Sequence, residues 1–261
     1  MTGPPEAPPP PAGEPTTRGR WLTDRVEADF RHAEDRFVPA WLRPTDAENR
    51  IPAGIAIAVA IVLQLSIPDK YGLHPRWLLP SLEAVLLVAL TILNPVRLTR
   101  RTAFGRYGAL AMVAVITLDN VISSVLLDHD ILNGRATNDA SGLLASGAAI
   151  YLTNMIAFGL WYWEIDRGGP FARSAGSDPN PDFLFPQMTS PELAPADWEP
   201  RFVDYLYVSF TNVVAFSPTD TLPLGRGVKA LMAVQSIVAL TTIGLVIARA
   251  VNVLNVVKPH H

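Results

Sequence analysis

A chain of 261 residues without a single cysteine excludes disulfides, thiolate metal sites and a cysteine nucleophile. Hydrophobic residues make up 49% and charged residues only 17%, against about 25% charged in an ordinary soluble domain. The net charge of −3 leaves no electrostatic footprint for nucleic acid, so no nucleic-acid partner is expected.

Residues 1–20, MTGPPEAPPPPAGEPTTRGR, predict a disordered, Pro-rich tail, because so polar a stretch buries too little to offset its ordering entropy. Residues 21–50 form a juxtamembrane segment. Its first part places Leu22, Val26, Phe30, Ala33 and Phe37 on one helical face, with charges of both signs around the others. Such a helix lies in an interface or packs on a bundle, and Pro39 and Pro44 separate it from the first apolar run.

Four apolar runs occur within residues 51–164, each near the roughly 17–25 residues that cross a bilayer: 51–67, 77–94, 107–127 and 142–163. Trp77 and the Trp161-Tyr162-Trp163 run sit where interfacial aromatics belong. Asp128-His129-Asp130 is read as a short solvated loop, not as a metal site. Residues 165–201 read as a polar connector, long for a compact bundle. A short helix at 202–216, the turn SPTDTLPLGRG and a last span at about 228–254 complete the chain. The fold expected is all-α: a polytopic transmembrane bundle of five to six spans.

Arg97, Arg100, Arg101 and Arg106 crowd the loop between the second and third spans. The positive-inside rule makes that loop cytoplasmic, and counting back places the N-terminus there too. Residues 202–216 span about 23 Å at ~1.5 Å per residue, short of a ~30 Å hydrocarbon core. Asp204 and Asn212 reduce its apolar character further. It is expected to be a re-entrant half-helix, with a tilted crossing as the alternative.

Polar residues inside spans are costly and mark partners or pathways. Glu83, Asp119, Asn120, Asn154, Gln235 and Arg249 are these candidates. Gln235, Thr242 and Arg249 share a face at seven-residue spacing, while Asp119 lies beside Ser123 and Asn120 beside Ser124. Interhelical hydrogen bonds and an ion pair would account for them, as would an ion or proton path. No zinc-protease, nucleophile-elbow, Walker or dinucleotide-binding motif occurs, so neither enzyme activity nor a cofactor or metal is expected.

Near the C-terminus, a short aromatic helix reaches Thr211-Asn212-Val213-Val214-Ala215-Phe216-Ser217, passes Pro218-Thr219-Asp220 and Pro223, and feeds a long helix. That order resembles the two-helix pore-loop module of potassium-type channels. The resemblance matches Thr211 to the filter threonine, Phe216 to its aromatic, Asp220 to the acid after it and Pro223 to the later proline. Both filter glycines are absent: Ala215 precedes Phe216 and Ser217 follows it. Trp161 to Pro170 and Asp204 to Asp220 are also similar to bacterial multi-spanning membrane families, a likeness that implies the architecture and assigns no activity.

These readings together predict a multi-pass protein of the bacterial cytoplasmic membrane. Its partners would be the lipid bilayer, further copies of itself and a monovalent ion. The function expected is an oligomeric, channel-like pore constricted at Thr211, Asn212, Phe216, Ser217, Thr219 and Asp220. Two alternatives stand beside it: a non-conducting scaffold or accessory subunit, and a proton- or solute-coupled transporter working through Glu83, Asp119 and Arg249.

Overall fold

A computed structural model describes residues 39–46, 48–93, 103–136, 138–215 and 220–256. The predicted tail, the amphipathic stretch 21–38 and the arginines at 97, 100 and 101 lie outside the described residues. Six helices form the body: α1 (Ile51–Ser66), α2 (Leu78–Leu93), α3 (Ala103–Leu132), α4 (Ala140–Ile165), α5 (Phe202–Val214) and α6 (Arg226–Val256).

The long helices are apolar around most of their circumference, as expected of segments that meet lipid on one side and protein on the other. On α1, Ala53, Ala56, Ile57, Ala60 and Gln64 are buried, yet the outward Ile55, Val59 and Val62 are equally apolar. Three helices, Gly105–Leu132, Ala140–Gly168 and Arg226–Leu254, are long and apolar enough to cross a membrane. α1 and α2, with 16 residues each, reach only about 24 Å.

Ser66 ends α1 just before Pro68. The Asp139 carboxylate starts α4 by accepting from the Ser141 and Gly142 amides, both at 3.1 Å. At the far end of α4 the chain turns through Arg167, Gly168 and Gly169, all at positive φ. Gly169 sits at φ 92°, where a side chain would be strained, and its Cβ would crowd the Glu164 carbonyl at 3.0 Å, so this turn favours glycine there.

α3 runs past the apolar stretch 107–127, and Asp128, His129 and Asp130 form its last turns. The solvated-loop reading of that tripeptide is therefore corrected. Its polar side chains end the hydropathy signal but do not break the backbone ladder, which continues to Leu132.

α4 is the central column and packs against α1, α3, α5 and α6. At one end of the bundle lie the starts of α1 and α3 and the end of α4. There Trp163 Nε1 donates to Glu48 at 2.9 Å, and Arg106 donates to the Gly168 carbonyl. This is the arginine end. The connector folds over it with four short helical turns and the strand β1 (Phe183–Leu184). Phe183 and Phe185 insert among Tyr162, Tyr205 and Trp198, with ring centroids 5.2–6.0 Å apart.

α5 starts at this same end, where the Phe202 amide donates to Glu48 at 2.9 Å. It descends beside α4, its Leu206 pressed against Gly159. The chain then comes back, because Leu222–Pro223 (β2) pairs antiparallel with β1. α6 leaves from the arginine end and finishes at the opposite one, where Arg249 reaches Asn138 beside the start of α4. α5 and its return thus begin and end on one side of the bundle.

Candidate functional site

Where α1, α2 and α3 meet, the structure joins polar side chains from segments far apart in sequence. Gln64 sits on the last turn of α1 and is 3% exposed, and Glu83 on α2 is 0% exposed. The Gln64 amide donates to Glu83 Oε1 at 3.2 Å. That leaves Gln64 Oε1 and Glu83 Oε2 buried without a hydrogen-bond partner. Asp119 on α3, 7% exposed, is near enough for its charge to act on Glu83. From the α1–α2 loop Arg76 donates to the Gln64 carbonyl at 2.5 Å and to Asp69 at 2.9 Å. Its charge also reaches Asp119.

The chemistry available here is two carboxylates and an amide oxygen in a setting with little water. Two carboxylates in each other's field favour holding a proton or a cation between them. All-oxygen donor sets suit hard cations. Among the described residues no three His, Cys, Asp or Glu side chains gather in one place.

A second network ties α5 into the bundle. Gln235 Oε1 accepts from Tyr162 Oη at 2.5 Å and from Asn212 Nδ2 at 2.8 Å, and Gln235 Nε2 donates to Ser209 Oγ at 2.6 Å. Ser209 in turn donates to the Met155 carbonyl at 2.6 Å, and Asn212 also donates to the Met232 carbonyl at 3.1 Å. Of the residues expected at a constriction, Asn212 is therefore committed inside its own protomer. Thr211 is buried, and its hydroxyl bonds the Val208 carbonyl one turn back. Phe216, Ser217 and Thr219 lie outside the described residues, and Asp220 sits in the exposed turn beyond them.

The remaining polar candidates of the apolar helices are scattered. Asn120 donates to the Ile150 carbonyl at 2.7 Å, and Ser124 meets the Thr242 hydroxyl, which also reaches Asp128 at 3.3 Å. Both side-chain atoms of Asn154, the Thr153 hydroxyl and Asp128 Oδ1 are buried without partners. Arg249 donates to Asn138 at 3.1 Å and does not join Glu83 or Asp119.

The arginine end holds a network that motif reading passes over. Arg173 is buried, donating to the Trp163 and Asp166 carbonyls at 2.6 and 2.9 Å and to Glu48 at 3.2 Å. Burial pushes the Glu48 carboxyl above its ordinary value, against the Arg173 charge and the Trp163 and Phe202 hydrogen bonds. Asp166 accepts from Tyr205 Oη at 2.5 Å and from the Asp182 amide at 2.7 Å. Arg167 bonds the Asp178 carbonyl at 2.7 Å and the Trp41 carbonyl. These bonds join the connector to α4, to α5 and to the segment before α1, which is what a structural clamp does. The charged run Glu164-Asp166-Arg167 directly after an aromatic belt is the one signal for it.

No protein-family model, curated protein or solved structure matches the chain. A functional reading therefore rests on the chemistry of its own residues.

Proposed function

We propose that the protein is a multi-pass membrane protein that binds a proton or a monovalent cation at Gln64, Glu83 and Asp119 and passes it through the bundle of a single protomer. In this reading α1, α2, α3, α4 and α6 cross the bilayer, α5 is re-entrant, and the arginine end faces the cytoplasm. The observation that carries it is Glu83: wholly buried, with one oxygen unpartnered beside a second unpartnered oxygen from Gln64. An intramembrane acid held like this is costly unless it has an occupant. Arg43, Arg50, Arg106, Arg167 and Arg173 lie at or near the end where α3 begins and α4 ends, which supports the orientation.

The course of α5 supports a second reading, an oligomeric pore. A half-helix that goes in and returns to its own side, between two full-length helices, has the order of a pore-loop module. Its outward face is the apolar stripe Val203, Tyr207, Phe210 and Val214, which a neighbouring copy would have to cover.

Ligand-dependent stability tests the first reading. A cation that binds only the folded protein raises its stability by about 2.7 kcal/mol at a hundred times its Kd. The unfolding midpoint in detergent is expected to rise in one alkali salt over choline at equal ionic strength, or to depend on pH alone if the ligand is a proton. Glu83→Gln is expected to remove that dependence. Identical behaviour of wild type and variant in every salt and at every pH would count against the site.

A further inference from the structure

α1, α2, α3 and α4 leave a cavity of about 340 Å³ between them at the arginine end, inside the roughly 300–1,000 Å³ range of small-molecule sites. Its walls are almost wholly apolar, formed by residues such as Gly54, Ile57, Leu87, Leu90, Met112 and Leu160. Two further lining residues, Ile51 and Ile55, are 52% and 60% exposed, so the cavity opens sideways through the surface of the bundle. With α1 in the bilayer, as in the function proposed above, that opening faces the lipid phase.

One end of the cavity is charged. Arg50 and Glu164 both line it, and no ion pair within 4.0 Å joins them among the described residues. The Arg50 guanidinium has no side-chain hydrogen bond among those residues either. Burial lowers its pKa, and only the more distant charges of Glu164 and Glu48 oppose that. Glu164 is 3% exposed and lies in the fields of Arg50, Arg173 and Arg106, so cations surround it on several sides. Arg173 is already engaged with Glu48 and Arg106 with Gly168. Among the described residues, Arg50 is the cation at the cavity that lacks a close anion.

We infer that this cavity holds one acyl chain of an anionic phospholipid from the leaflet at the arginine end, with the lipid phosphate paired to Arg50. The apolar walls take the chain and the lateral opening leaves the second chain in the bilayer. The guanidinium supplies a planar fork of donors for phosphate oxygens. The site is separate from Gln64, Glu83 and Asp119, and it stands whether or not that cluster binds a cation.

Native mass spectrometry of the protein released from nanodiscs of equal phosphatidylglycerol and phosphatidylcholine tests it. Wild type is expected to retain one phosphatidylglycerol in preference to phosphatidylcholine by about tenfold, the scale of one charge-assisted hydrogen bond. Arg50→Gln should bring that ratio to about one. Gly54→Leu should lower retention of both lipids. An added Cβ at Gly54 meets no atom within 4 Å, so the larger side chain starts into open space at the cavity. Equal retention of the two lipids by wild type would overturn the inference, as would a preference that survives Arg50→Gln or retention unaffected by Gly54→Leu. A retained mass equal to a free fatty acid would overturn the phospholipid assignment.

Discussion

Replacing Gln235 by leucine should release α5 from the bundle. The substitution keeps most of the volume and removes four buried bonds: from Tyr162 Oη at 2.5 Å, from Asn212 Nδ2 at 2.8 Å, and to the Ser209 Oγ at 2.6 Å and carbonyl at 3.4 Å. Interhelical hydrogen bonds in a membrane average about 0.6 kcal/mol each, so the loss is expected near 2 kcal/mol. The consequences are unequal. Asn212 keeps the Met232 carbonyl and Ser209 keeps the Met155 carbonyl, whereas the buried Tyr162 hydroxyl loses the acceptor Gln235 provides. Tyr162→Phe should therefore cost about 0.6 kcal/mol alone and nothing when combined with Gln235→Leu. Reversible unfolding in mixed micelles measures all four proteins. In this cysteine-free chain, a cysteine placed at buried Val213 should become reactive in the Gln235→Leu protein and stay protected otherwise. If Gln235→Leu unfolds like wild type, or the two substitutions are additive, the network does not hold α5.

Packing and ion pairing offer two further tests. A Cβ at Gly147 would stand 2.7 Å from Val246 Cγ1 and 2.9 Å from Cγ2. Gly147→Ala is therefore expected to cost about 1–3 kcal/mol, with Val246→Ala restoring much of it in the double variant; unfolding of the three proteins decides. Arg173→Met strands the buried Glu48 carboxylate and should cost about 3–5 kcal/mol. Adding Glu48→Gln should recover most of that, because the amide oxygen still accepts from Trp163 and Phe202.

The apolar runs make the long helices legible, since hydropathy reports directly on segments that contact both lipid and protein. Helix ends are less so. α3 continues through Asp128 because Asp128 finds the Thr242 hydroxyl on α6, a partner no local pattern announces. The length of 202–216 already argues against a full crossing, and the chain does return to the end from which α5 starts. The sense of its polar residues is also within reach of the sequence. Phe202, Tyr205, Ser209 and Asn212 recur at i, i+3, i+7 and i+10, which is one helical face, and that face is the buried one. Matching Thr211 to a channel filter and placing Asn212 at a constriction hides this.

Other features depend on tertiary arrangement alone. Glu83 is visible as an acid in an apolar run, but its pairing with Gln64 requires α1 and α2 to meet in one register. Gln64 itself gives no signal, because a single amide in an apolar helix is common in any sequence. Phe183 and Phe185 are hidden in a connector rich in Pro, Gly and Asp, where a two-residue strand leaves no periodicity to detect.

Flux through purified protein in liposomes tests the proposed path most directly. With a pH or alkali-cation gradient and a membrane potential clamped by an ionophore for a different ion, wild type is predicted to carry protons or one alkali cation above the rate of empty vesicles. Glu83→Gln, reconstituted to the same level, is predicted to lose at least about tenfold of that rate, one decade being some 1.4 kcal/mol in the barrier. The Gly147→Ala/Val246→Ala protein, altered away from the site, should keep it. No flux above empty vesicles, or equal flux through Glu83→Gln and wild type, would contradict the account.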